Sequence, residues 1–168
     1  MKHIITLVVR NDSGVLARIS SLFGRRGFNI DSLSVSATDD PDISRITVVV
    51  RGDNQALDQV VKQTAKLDDT INIEPLKEEN CVARELLLVK IKCISECISC
   101  DVVNLTDRYG AAILDIAKNS MIIELTGTTY KVNEFLKELK MSAQGKYEIY
   151  KVCRTGITAM KRGVIEEK

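Results

Sequence analysis

Residues 10 to 16 read Arg10-Asn11-Asp12-Ser13-Gly14-Val15-Leu16 and connect a strand to a helix. The apolar run 4–9 before them predicts the strand, and the turn-forming residues at the centre of the stretch end it. Apolar residues then recur at helical spacing up to Phe23, and Gly27 suits a left-handed C-terminal cap. The pattern therefore predicts a strand, a tight turn and a helix that ends near Gly27.

The start of this helix offers a place for a small anion. The first turn of a helix leaves backbone N–H groups without acceptors, and Gly14 has no side chain to block a ligand that approaches them. A carboxylate could be held there. Most strand-turn-helix connections bind nothing, so local chemistry alone favours the alternative that Asp12 or Ser13 caps the helix and Gly14 only permits the turn.

The remaining pattern of the first half predicts a ferredoxin-like order of elements. Residues 32–37 and 45–51 alternate between apolar and polar and predict a hairpin. Residues 57–67 predict a second amphipathic helix, and residues 71–73 predict a short strand that Pro75 ends. The order β-α-β-β-α-β places two helices on one face of a four-stranded antiparallel sheet.

The same order recurs in the second half, as a pattern and without residue-level identity to the first. Charged residues from Lys77 onward predict a linker. The later elements are a strand at Leu86–Cys93, a helix at Ser95–Arg108, strands at Ala111–Ala117 and Met121–Leu125, a helix around Val132–Leu139 and a strand at Tyr147–Cys153. We therefore predict an α+β chain of two tandem ferredoxin-like (βαββαβ) domains, with residues 1–76 as the first, 77–84 as the linker and 85–168 as the second.

Composition narrows the classes of function. The chain has 168 residues, of which 45% are hydrophobic and 28% charged, as in soluble globular proteins. It has no apolar run of membrane-spanning length and no signal-peptide pattern, so we expect a cytoplasmic protein without a membrane partner. The net charge of +1 predicts no nucleic-acid partner. The single histidine, His3, removes most acid-base and metal chemistry and argues against an enzyme, so we predict no catalytic residues.

The five cysteines are an odd number and predict reduced thiols. Cys93, Cys97 and Cys100 have the spacing C-x3-C-x2-C, which resembles the cluster-binding loop of radical S-adenosylmethionine enzymes. That class needs a large partial barrel around its substrate, and the predicted domain is too small for one. We therefore predict no metal site and interpret the cysteines as packing residues, with a thiol or metal sensor as the alternative.

A series of blocks follows in a fixed order along the chain: Asn11–Leu16, Leu22–Ile30, Ser32–Val35, Thr38–Asp40, Ser44–Thr47, Glu85–Lys90, Ile113–Ile116, Glu124–Gly127 and Arg154–Ile157. In this order the blocks resemble the small regulatory subunit family of acetolactate synthase (acetohydroxyacid synthase), and residues 1–76 resemble an ACT domain. The family pattern departs at residues 93–100, 108–110 and 141–145.

The resemblance implies a noncatalytic subunit that activates a larger thiamine-diphosphate enzyme and makes it sensitive to valine or another branched-chain amino acid. Thiamine diphosphate, Mg and FAD are expected on that catalytic subunit and no cofactor on this chain. An amino-acid-sensing ACT protein for another enzyme is the alternative.

The resemblance also implies a homodimer in which two ACT sheets pair side by side, with the effector between the first loop of one chain and the second strand of the other. The backbone N–H groups of the first loop would bind the effector carboxylate, two asparagines would add side-chain hydrogen bonds, and a carbonyl of the second strand would accept from the ammonium. Carried onto this sequence, the effector-binding residues are Gly14, Val15 and Leu16, then Asn11 and Asn29, and finally Ile30.

Overall fold

The computed structural model describes residues 1–94 and 100–163. The chain divides into two compact units, Met1–Ala83 together with the segment from Gly156 onward, and Arg84–Thr155. Each unit has two helices on an antiparallel sheet. The predicted α+β class with two ferredoxin-like domains is confirmed.

The first unit has the predicted β-α-β-β-α-β order. Its strands lie side by side in the order β2-β3-β1-β4, and every neighbouring pair is antiparallel. One face of the sheet packs against both helices around the fully buried side chains of Leu7, Val48 and Phe23. The elements are β1 (Lys2–Arg10), α1 (Val15–Arg25), β2 (Asn29–Ala37), β3 (Ile43–Arg51), α2 (Asn54–Thr64) and β4 (Thr70–Leu76).

The chain leaves helix α1 at the glycine that the sequence predicts as its C-terminal cap. Gly27 has φ +76°, and its N–H donates to Gly24 O at 3.0 Å while the N–H of Phe28 donates to Phe23 O at 3.1 Å. This is a Schellman motif, and the rings of Phe23 and Phe28 meet edge to face across it. The motif turns the chain from α1 directly into β2.

Replacing Gly27 should destabilise the first unit. A side chain at φ +76° costs about 1 kcal/mol, so we expect Gly27→Ala to lower the free energy of unfolding by that amount. Gly24→Ala is the matched control, because Gly24 lies inside α1 with open space around it, and alanine there should stabilise by about 0.5–1 kcal/mol. Urea unfolding measures both variants. Equal midpoints would contradict the assignment of the cap.

The prediction that Pro75 ends the fourth strand is wrong. Strand β4 continues to Leu76, and Pro75 pairs with Ile5 of β1. Strand β4 lies at the edge of the sheet, where proline is tolerated because its missing N–H need not belong to a ladder.

The second unit repeats the arrangement around its own core. Its strands lie in the order β6-β7-β5-β8, and Val89, Ile123 and Phe135 are fully buried between the sheet and the two helices. The predicted helix from Ser95 is described only from Cys100, because residues 95–99 lie outside the described part of the chain. The elements are β5 (Cys81–Cys93), α3 (Cys100–Tyr109), β6 (Ala112–Ala117), β7 (Ser120–Gly127), α4 (Thr129–Ser142) and β8 (Tyr147–Arg154).

The two units share a backbone detail that their sequences do not show. Strand β2 begins two residues after Gly27, and β6 begins two residues after Gly110, which also has a positive φ of 59°. Each strand then has a bulge at its third residue, at Asp31 in β2 and at Leu114 in β6. The two units therefore share the position of the bulge in the outer edge strand, β2 in the first and β6 in the second.

The end of the chain differs from the prediction. No periodicity is visible after Gly156, yet Thr158–Lys161 form a further strand, β9, which pairs with β5. Ile157 and Ala159 are buried in one cluster with Ile4 and Val49 of the first unit. The segment from Gly156 therefore packs with the first unit, whereas the sequence prediction placed it in a domain of residues 85–168. The predicted 77–84 linker contains a one-turn 3-10 helix and the start of β5.

Candidate effector-binding site

The loop between β1 and α1 leaves backbone donors open. Gly14 is the residue before α1 and has φ +85°, and no side chain caps the helix there. The N–H of Val15 donates to Asp12 O at a long 3.3 Å. Among the described residues, the N–H groups of Gly14 and Leu16 have no acceptor. Neither Asp12 nor Ser13 caps the helix with its side chain, and the loop has donors available for an anion.

One arginine gives the loop positive charge. The Arg18 guanidinium donates to Asp69 Oδ2 through Nε at 2.9 Å and Nη2 at 2.6 Å. Its Nη1 atom lies 3.2 Å from where a Cβ on Gly14 would stand. Asp69 offsets part of the charge, yet the guanidinium remains half exposed at the same end of α1 as the open N–H groups. This arrangement favours a carboxylate at the helix start.

Asn11 holds the loop against the hairpin that joins β2 to β3. Its backbone N–H donates to Asp42 O, and its Nδ2 donates to Pro41 O, both at 2.8 Å. Its Oδ1 accepts a hydrogen bond from the buried Ser44 hydroxyl, also at 2.8 Å. The side chain therefore shapes the loop, and its second amide hydrogen is the one that a ligand could use.

Removing the Asn11 side chain should loosen the loop. Asn11→Ala loses the bond to Pro41 and leaves the buried Ser44 hydroxyl without its acceptor, so we expect the free energy of unfolding to fall by about 1–2 kcal/mol. Ser13→Ala, at an exposed position in the same loop, should change it by less than about 0.5 kcal/mol. Urea unfolding of both variants measures the difference. Identical midpoints would show that the bonds to the hairpin carry no stability.

Asn29 and Ile30 begin β2, which is an outer edge of the sheet. Asn29 Nδ2 donates to Asp31 Oδ1 at 3.3 Å, and Arg51 Nε donates to Asp31 Oδ2 at 2.6 Å. The bulge falls between Ile30 and Ser32, so it changes the direction of the backbone beside the two predicted site residues.

The structure does not bring the two groups of predicted site residues together within one chain. Asn29 pairs with Arg51, which pairs with Lys2 at the start of β1. The loop that begins at Asn11 follows the other end of β1. At about 3.4 Å per residue, the two ends lie roughly 27 Å apart along the strand. A single small ligand cannot contact both groups of one copy.

The cysteine alternative has little support in the described residues. Cys93 ends β5 and is half-buried, Cys97 lies outside the described residues, and the side chain of Cys100 is not among those described. Across residues 1–94 and 101–163, no group of three or more histidine, cysteine, aspartate or glutamate side chains could hold a metal ion. No helix in the described ranges is long and apolar enough to cross a membrane.

Family models match both halves of the chain. Residues 5–72 match the model of the acetolactate synthase (AHAS) small subunit-like ACT domain, which agrees with the sheet and the loop described above. Residues 84–163 match the model of the small subunit of acetolactate synthase. The first match defines an ACT-domain protein. The second distinguishes it from ACT proteins of other enzymes.

Relatives of similar length carry the same description. The chain is 43% identical to a probable acetolactate synthase small subunit of Archaeoglobus fulgidus, over 97% of this chain and 98% of that protein. It is 36% identical to the small subunit of acetolactate synthase isozyme 3 of Escherichia coli, over 97% of each. The chain belongs to the acetolactate synthase small subunit family, as the sequence resemblance predicted.

A solved structure agrees with this assignment. The acetolactate synthase small subunit of Thermotoga maritima superimposes with a TM-score of 0.86 at 32% sequence identity, covering 98% of this chain and 99% of that one. The matched part of the chain includes both ferredoxin-like units.

Proposed function

We propose that this small subunit is noncatalytic, that it activates the thiamine-diphosphate catalytic subunit of acetolactate synthase, and that it makes that enzyme sensitive to valine or another branched-chain amino acid. The observation that carries the proposal is the separation of the site halves: the open N–H groups of Gly14 and Leu16 lie at one end of the sheet, and Asn29 lies at the other. A site built this way is completed only by a second copy.

The register of the sheet supports pairing of two copies through β2. When two β2 strands pair antiparallel about a two-fold axis at Leu33, the middle of the strand, Asn29 of one copy lies beside Ala37 of the other. Ala37 pairs with Ser44, whose hydroxyl binds Asn11. The partner's start of β2 therefore comes to the end of the sheet where the open loop lies, and the homodimer has two equivalent sites.

The chemistry of the two halves fits a zwitterionic amino acid. The N–H groups of Gly14, Val15 and Leu16 are donors for a carboxylate, and the positive end of α1 stabilises its charge. Asn11 and the second copy's Asn29 would add side-chain hydrogen bonds, and a carbonyl at the second copy's Ile30 would accept from the ammonium. Leu16 has 37% of its surface exposed, so it offers apolar contact to a branched side chain.

In this proposal the catalytic subunit of acetolactate synthase, and not this chain, catalyses the reaction. The catalytic subunit holds thiamine diphosphate, Mg and FAD, and this chain holds no cofactor. The effector changes activity only as far as it binds the active and inactive arrangements of the complex with different affinity.

Reconstitution tests the proposed function. The chain is mixed with its catalytic subunit, and acetolactate formation is measured with and without valine, leucine or isoleucine. We expect higher activity in the mixture than with the catalytic subunit alone, and a saturable decrease with at least one of the amino acids. Unchanged activity on mixing would reject activation, and full activity at saturating amounts of all three amino acids would reject feedback inhibition.

A further inference from the structure

A C-terminal segment of the first unit packs against β2. We call residues 156–161 the C-terminal strap. The N–H of Ile157 donates to the hydroxyl of Ser32 in β2 at 2.9 Å, and Lys161 forms an ion pair with Glu74 of β4 at 2.7 Å. Ile157 is buried against Val49, the residue that pairs with Ser32. The strap thus lies on the sheet face opposite the helices, because Val48 points to the helix side.

The residue before the strap is held by hydrogen bonds of its own. Thr155, the residue before it, exchanges two hydrogen bonds with Leu86 of β5: its N–H donates to Leu86 O at 3.1 Å, and its hydroxyl accepts from Leu86 N at 3.0 Å. Only Gly156 separates this anchor from Ile157. Gly156 has φ +77°, and a Cβ there would lie 2.3 Å from the Ser32 hydroxyl oxygen. The backbone of the strap therefore touches Ser32 directly.

Ser32 stands next to the predicted effector residues. Asn29 contacts Asp31, and Asp31 is the bulge residue that immediately precedes Ser32. A bulge is the place where an edge strand changes its course most readily. A shift of Asn29 or Ile30 would reach Ser32 through this bulge, and Ser32 is bound to the strap by its hydrogen bond with Ile157.

We propose that Ser32 is a positioning residue of the regulatory response, which transmits occupancy of the β2 edge through its hydrogen bond with Ile157 to the C-terminal strap. This inference rests on the proposed function, because it requires an effector at Asn29 and Ile30. Ser32 itself does not contact the effector. It couples the effector site to the C-terminal strap.

The test compares valine binding with and without the catalytic subunit. An effector that changes the state of the complex must bind the complex and the free chain with different affinities. The ratio of these two dissociation constants for valine measures the coupling. Ser32→Ala removes one neutral hydrogen bond, so we expect this ratio to fall about fivefold. If the wild-type ratio is smaller than about five, it should fall to 1. Valine affinity of the chain alone and activation without valine should remain within about twofold of the wild type.

Two further variants separate coupling from general disturbance of the strand. Ser34→Ala is the matched control, because Ser34 lies on the same face of β2 and its hydroxyl has no hydrogen-bond partner among the described residues. It should keep the wild-type ratio. Ser32→Thr keeps a hydroxyl and should restore most of the ratio that alanine loses. A wild-type ratio in Ser32→Ala, or an equal loss in Ser34→Ala, overturns the proposal.

Hydrogen exchange gives a second measurement. In the wild-type complex with the catalytic subunit, valine should change the exchange rate of the amides of Ile157–Lys161, and in the Ser32→Ala complex it should not. No change in a wild-type complex that valine inhibits would overturn the transmission through the strap and leave the proposed function standing. Absence of any valine, leucine or isoleucine effect on the wild-type complex would instead reject both.

Discussion

Gly14→Asp should fold, still activate the catalytic subunit, and lose sensitivity to valine. The new carboxylate would stand at the helix start where the effector carboxylate is proposed to bind. Two carboxylates about 4 Å apart near a protein surface repel by on the order of 4 kcal/mol, so we expect at least about 100-fold weaker valine binding by calorimetry. The variant should fold because aspartate tolerates positive φ better than most residues, and the nearby Arg18 Nη1 is the end of a flexible, exposed side chain.

Gly14→Asn is the control for this variant. Asparagine has nearly the shape of aspartate and also tolerates positive φ, but it carries no charge. We expect its valine affinity to lie between those of the wild type and Gly14→Asp, and the difference between the two variants to measure the charge. Inhibition of the Gly14→Asp complex at wild-type valine concentrations would show that the effector carboxylate binds elsewhere.

Val35→Lys should convert the homodimer to monomers and abolish valine binding with it. Val35 has 44% of its surface exposed on the edge strand β2, and pairing of two β2 strands would bury it. Lysine keeps its charge in water, and a lysine on an edge strand blocks edge pairing. Loss of a buried valine in each copy, at about 1.5–3 kcal/mol, predicts a dimer dissociation constant raised at least about 100-fold.

Ile71→Lys is the matched control for the interface. Ile71 is 55% exposed on β4, the opposite edge of the same sheet, so the same substitution there should leave the dimer and valine binding unchanged. Analytical ultracentrifugation measures the association, and calorimetry measures the binding. Dimers that persist in Val35→Lys, or that dissociate in Ile71→Lys, would contradict pairing through β2.

Most of the fold could be predicted because local residue patterns indicate its helices and strands. Alternating residues in β3 and helical spacing in α1 follow from which side chains must face one core, and Gly27 marks a cap that needs a positive φ. Pro75 was misjudged because its effect depends on whether the strand is an inner or an edge strand, and strand order is a tertiary property. Residues 156–161 have no pattern of their own, and they become ordered by burying Ile157 and Ala159 on a distant sheet.

The candidate site was less accessible to local reasoning. At Gly14, the sequence favoured a cap without a ligand, and the tertiary structure shows a helix start without any side-chain cap. The role of Asn11 as the link to the hairpin was missed, because Pro41 and Ser44 come close to it only when β1 pairs with β3. No local signal marks such a contact across thirty residues.

The amino-acid sequence alone determined the two βαββαβ patterns, the family and the loop from Arg10 to Leu16, since these depend on spacing and on residue types along the chain. Only the tertiary structure placed Asn29 at the far end of the sheet from that loop and Ser32 against the C-terminal strap. The physical reason is that strand order and register arise from pairing between distant segments. The residues next to a side chain in the sequence therefore do not reveal its neighbours across a sheet.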